Sequence, residues 1–166
     1  MKSTLHTIHR VALAALALTA VVARADVITD WSLKADAIIS ESRLGTPPAI
    51  RVMALVQTAV LEAASAAKDP HQLAAAVATA NRDAFTRLLP AQRAPIEAAY
   101  ASALAAIPDG ALKSAGIAIG TQSANAVLGA RLADGAATPE GYRPLTTPGV
   151  YVPTVTPAVT QWPTRK

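Results

Sequence analysis

A chain of 166 residues and 17.0 kDa has room for one domain. It holds no cysteine, which excludes disulfides, a lipid-modified cysteine and thiolate zinc sites. Its formal net charge of +4 is accompanied by only 4% aromatic residues, so a basic nucleic-acid surface interleaved with base-stacking rings is not in the composition.

Residues 1–25 have the three parts of a secretory signal peptide: basic Lys2 and Arg10, an apolar run over 11–22, and Ala23 and Ala25 framing an A-x-A site. The run is shorter than the roughly 20 residues of a comfortable transmembrane helix. The reading is therefore cleavage after Ala25 and export to the periplasm or beyond, with no stable membrane span afterwards. Cleavage removes Lys2, Arg10 and Arg24, which leaves 12 basic against 11 acidic residues and a net charge of +1. No nucleic-acid partner is expected of so nearly neutral a chain.

The mature chain divides into a helical domain over 26–137 and a proline-rich segment over 138–166, an all-α fold of about five helices. In the first helix Asp30 is the expected cap, Trp31, Ala35, Ile38 and Ser42 share a face, and Gly45 before Pro47 is the stop. Thr46 is the expected cap of the second, whose stretch "AIRVMALVQTAVLEAASAAK" is apolar around most of its circumference, as a central helix would be. The third opens with Asp69 as N-cap, Pro70 behind it and Gln72 three residues on, a capping-box pattern, and carries Leu73, Val77, Ala84, Phe85 and Leu88 as its stripe. A fourth spans residues 91–107 with Ile96, Tyr100 and Leu104 at helical spacing.

Asp109 is the expected cap of the fifth, in which Leu112, Ile119 and Val127 line one face and Gly116, Gly120 and Ala124 another. Each glycine costs about 1 kcal/mol against alanine inside a helix, so a pair four residues apart points to close contact between two helix backbones. The core expected from these patterns is Trp31, Ile38, Met53, Val60, Phe85, Ile96, Leu104, Ile119 and Val127. From residue 138 onward helix is excluded, because six of the 12 prolines fall between Pro139 and Pro163. Residues 138–150 are expected to dock weakly, and 151–166 to be mobile with Trp162 exposed.

No catalytic constellation assembles from these residues. His6 and His9 belong to the signal segment, and His71 stands alone at a helix start, where a structural role is expected. No G-x-S-x-G elbow surrounds a serine, and Gly116 and Gly120 lack the Lys-Ser of a phosphate loop. One histidine without cysteine makes no zinc site. Arg82, Arg87 and Arg93 read as a solvated face. The sequence thus nominates no catalytic, cofactor-binding or metal-binding residue.

Three blocks carry a resemblance: "DWSLKADAIISES…PPAIRVMALVQTAVLEAASA", "LLPAQRAPIEAAYASALAAIPDGALKSAGIAIGTQSANAVLGARLADGA" and "PGVYVPT". Together they resemble the N-terminal helical region of exported bacterial proteins in the vanadium-dependent haloperoxidase and type 2 phosphatidic acid phosphatase (PAP2) superfamily. Two positions depart from that pattern: Ser32 after the tryptophan replaces a common asparagine, and Gln57 a common histidine. The resemblance implies a helical fold that binds vanadate or a transferred phosphoryl group, and the activity of a haloperoxidase or acid phosphatase. The elements implied for that chemistry are Lys…Arg-Pro, Pro-Ser-Gly-His and Arg…His, and none is present; Arg143-Pro144 echoes the first without its lysine. The expectation is a front helical half, inactive alone, with no cofactor of its own. Its expected partner is a missing catalytic half or a second copy; the alternative is an exported helical interaction module.

Overall fold

The computed structural model describes residues 27–145, 147–155 and 157–165. The signal-peptide reading lies outside them. Five helices are present among the described residues, and no strand: α1 Val27–Glu41, α2 Thr46–Ala66, α3 Pro70–Leu88, α4 Arg93–Ala105 and α5 Ala111–Ala130. Short 3-10 turns occupy Pro90–Gln92 and Trp162–Thr164. The all-α expectation is met.

Helix α3, not α2, is the central element: it touches all four other helices, and ten of its residues are buried. Its sequence explains this better than hydropathy does. Ala75, Ala76, Ala78, Ala80 and Ala84 give it a thin cylinder that neighbours can approach from several sides. Asp69 starts it, accepting from the amides of His71 (2.8 Å) and Gln72 (3.4 Å), while the Gln72 side chain reaches back to the Lys68 amide at 2.7 Å. This is the reciprocal N-terminal arrangement expected of that stretch, displaced by one residue at its return bond.

The other caps differ from expectation. Asp30 lies in the first turn of α1 rather than at its cap, and Gly45 precedes α2 in extended backbone without a side-chain bond. Gly110 is the N-cap of α5, with φ +148°, and Asp109 instead holds Lys113 one turn on at 2.8 Å. That pairing lowers the Asp109 carboxyl below its usual range. Glycine removes the competition for the cap, and the aspartate then finds a cation.

Trp31, Ile38, Val60, Phe85 and Ile96 are buried as expected, while Met53, Leu104, Ile119 and Val127 are only partly so. The last two are partly exposed because α5 turns its glycine face inward: Gly116, Gly120, Ala124 and Leu128 are buried, and Leu112 is exposed. Gly116 lies on Gln72, Ala75 and Ala76 of α3, and Gly120 on Ala76, Thr79 and Ala80. Inside, Thr79 Oγ1 donates to the Ala75 carbonyl (2.8 Å) and Asn81 Nδ2 to that of Val77 (2.9 Å), while Asn81 Oδ1 has no hydrogen-bond partner among the described residues. Thr121 Oγ1 of α5 donates to the buried Asp83 of α3 at 2.8 Å, adding a polar tie to the close-packed pair.

Candidate functional site

Arg51 interrupts the apolar sequence of α2, and its guanidinium reaches across to the turn that follows α5. There Asp134 is buried, its side chain 5% exposed, and Gly135 turns the chain with φ +85°. Arg51 donates to Asp134 Oδ2 through Nε (3.2 Å) and Nη2 (3.0 Å). The far end of the proline-rich segment joins the same carboxylate, with Arg165 Nη2 at 2.7 Å, and the Ala136 amide donates to Oδ1 at 2.9 Å. The Arg165 guanidinium also stacks 4.3 Å above the Trp162 ring.

The electrostatics follow from that count of donors. Burial alone would push the Asp134 carboxyl up, but the Ala136 amide, Arg165 and Arg51 outweigh it and bring it down to about 2. Asp134 is thus an anion at every ordinary pH, neutralised by two guanidinium groups. Two clefts open on this centre, and a third lies elsewhere along the α2–α5 pair. One of about 330 Å³ is lined by Arg51, Thr58, Val127, Arg131, Asp134, Trp162 and Arg165. A second, about 470 Å³, shares Arg51, Arg131 and Asp134 and adds Arg87. A third, about 430 Å³, lies between α2 and α5 and is lined by Glu62, Ala66, Ile119 and Val127 among others.

These contacts reverse the expected order within residues 138–166. The segment docks at its far end: Trp162 is half-buried, and Val150, Tyr151, Val152 and Val155 stand exposed. Glu140 supplies a second fastening by accepting from the Thr160 hydroxyl and from the Thr160 (3.0 Å) and Tyr142 (2.9 Å) amides. The Thr160 hydroxyl and the Tyr142 amide are chief among the bonds that lower the Glu140 carboxyl. Together Glu140 and Asp134 close a loop of backbone that sequence composition had left without an anchor.

The arginines read as one solvated face separate into different roles. Arg82 is half-buried, stacked 4.5 Å from the Tyr100 ring and paired with Asp83 at 3.0 Å. Arg87 is exposed and donates to Asn125 Oδ1 of α5, and Arg93 is exposed. His71 is exposed at the first turn of α3 and is not among the residues lining the three clefts. Among the described residues no group of three or more His, Cys, Asp or Glu is placed to hold a metal ion.

The residues present do not fit the vanadate or phosphoryl group implied by the resemblance. That group calls for a histidine aimed into a cation-lined pocket, and here the cation-lined clefts and His71 are in different places. Reading the sequence missed Arg51, Asp134, Trp162 and Arg165 as a set. The available signals were a lone arginine in an apolar helix and an Asp-Gly pair at a helix exit, 83 residues apart. No protein-family model, curated protein or solved structure matches this chain.

Proposed function

We propose that this chain is a helical layer of the haloperoxidase/PAP2 type that carries no catalytic centre of its own and acts by association. Its occupied face is on α2, where a second helical polypeptide bearing the oxyanion chemistry docks. The observation that carries this reading is the pair Ile50 and Leu61, 63% and 64% exposed on one stripe of α2 with Ala54 between them. Eleven residues bring a helix back to nearly the same azimuth, so the two side chains share one face about three turns apart, with Ala54, Gln57 and Thr58 between them. The groove between α2 and α5 runs beside it. Helix α2 is long and apolar enough to cross a membrane, a property shared by core helices, yet only 33% of its most apolar window is buried.

The resemblance in the helical blocks supports the family part of the reading, and the exposed strip supports association. A dimer of the chain alone would assign the same strip to a second copy. Sedimentation and binding of an apolar dye test the face itself. The double substitution Ile50→Glu, Leu61→Glu is expected to abolish dye binding and any self-association while changing folding stability by less than about 1 kcal/mol, as exposed positions do. A protein that binds no dye and stays monomeric at its highest soluble concentration would overturn the association reading.

Catalysis is tested separately. The purified protein is expected to show neither bromide oxidation with vanadate and peroxide nor hydrolysis of a phosphomonoester, because both need a preorganised anion pocket with a histidine in reach. Turnover of either kind that disappeared on His71→Ala would refute this.

A further inference from the structure

We propose that the cleft between α2 and α5 binds a small organic ammonium ion with a compact apolar body, at a place separate from the Ile50 and Leu61 face. Ile119, Val127 and three alanines wall a space of about 430 Å³, within the range of small-molecule sites. Three polar side chains interrupt that wall: Glu62 from α2, and Gln122 and Ser123 from α5.

Among the described residues none of these three side chains has a hydrogen-bond or ion-pair partner. For Ser123 this is informative, because the residue is buried, 9% exposed, and a helical hydroxyl commonly donates to the carbonyl one turn back, as Thr79 and Thr86 do here. The Ser123 hydroxyl is left to the cleft it lines.

Charge selects the sign of the ligand. Glu62 is the one charged residue among the described residues that line the cleft, and Ala66, the last residue of α2, lines it too. The carbonyl end of a helix carries roughly half a negative charge, and the last turn of α2 holds no basic residue to offset it. Lys68, just past that end, is exposed and does not line the cleft. Helix end and carboxylate therefore attract a cation together. One carboxylate does not make a metal site, and no group of three or more His, Cys, Asp or Glu is placed for one among the described residues. An ammonium group asks only for acceptors, and the Glu62 carboxylate, the Gln122 amide oxygen and the Ser123 hydroxyl supply them for its N–H bonds. Ile119 and Val127 then face the apolar body.

The test is titration of the full chain with cyclohexylammonium at low salt, followed through the methyl resonances of Ile119 and Val127, with cyclohexanol and cyclohexanecarboxylate as neutral and anionic probes of the same body. The ammonium is expected to bind saturably, the alcohol about five-fold more weakly, as the loss of a partly screened ion pair implies, and the carboxylate not at all. Glu62→Gln is expected to remove the preference for ammonium over alcohol. Ala126→Leu, at an exposed position on the cleft wall, is expected to block both by filling the space, with unchanged thermal melting in each variant. No saturable shift at Ile119 and Val127 in the folded protein overturns the proposal, as does a preference for ammonium that survives Glu62→Gln. Equal binding of ammonium and alcohol overturns it too, because the cleft would then be apolar and nothing more. Ile50 and Leu61 are not lining residues, so none of these outcomes bears on the association reading.

Discussion

Gly120→Ala is expected to destabilise the protein by about 3 kcal/mol or more, with a fall in Tm of roughly 10 °C, although alanine is the better helix former by about 1 kcal/mol. A methyl group there would sit 2.5 Å from the Ala76 carbonyl oxygen, 2.6 Å from Thr79 Cβ and 2.9 Å from the Ala80 nitrogen. Two of those three atoms are backbone of the central helix and cannot rotate away. Relief requires α3 and α5 to separate, which loosens the most extensive helix pair in the fold. Gly129 is the internal control: it lies in the same helix with nothing within 4 Å of an added Cβ, so Gly129→Ala is expected to stabilise by about 0.5–1 kcal/mol. Urea denaturation of the two variants checks both signs. Equal, small effects would mean that α5 does not press its glycine face against α3.

That contact also marks where sequence reading stopped being sufficient. The spacing of Gly116 and Gly120 identified a close helix approach, but hydrophobic periodicity placed Ile119 and Val127 in the core as well. Periodicity weighs side chains, and the tightest contact in this molecule is made where a side chain is missing. The same bias favoured α2 as the centre because its residues are larger and more apolar, whereas the alanines of α3 allow four neighbours around it. Where bulky residues decide the packing, as at Trp31, Ile38, Phe85 and Ile96, sequence and structure agree.

The candidate site was less legible than the core because its members are far apart in the chain and individually ordinary. Each carries only a weak local signal, Arg51 as the lone arginine of an apolar helix and Asp134 as an aspartate before a glycine. Their significance comes from the packing of α2 beside α5, which carries the turn after α5 to within hydrogen-bond reach of Arg51. Proline content argued against an α-helix in residues 138–166, but it carried no information about Trp162 and Arg165 returning to the helices. An anchor formed by two residues at the end of a long uncharged stretch has no period to detect.

Asp134→Ala is expected to cost about 2–3 kcal/mol and to release that anchor. Removing one member of a buried ion pair strands its partners, and a cost of about 3–5 kcal/mol is usual when the partners are also fully buried. Arg51 and Arg165 retain 19% and 16% side-chain exposure, so water recovers part of the loss. Trp162 reads the release directly: its emission should shift to the red and become more easily quenched, while Trp31, 2% exposed on the buried face of α1, should not change. The pH dependence has a definite sign. The Asp134 carboxyl is lowered from 3.8 to about 2 in the folded chain, so its stabilisation is fully present above about pH 4–5 and disappears as pH falls through 2. After allowance for screening this titrating part is on the order of 1–2 kcal/mol. The stability gap between the parent and Asp134→Asn should therefore be constant from neutral pH to about 5 and close on further acidification. A gap that widened with acid, or Trp162 emission unaffected by Asp134→Ala, would show that the carboxylate does not hold the C-terminal turn.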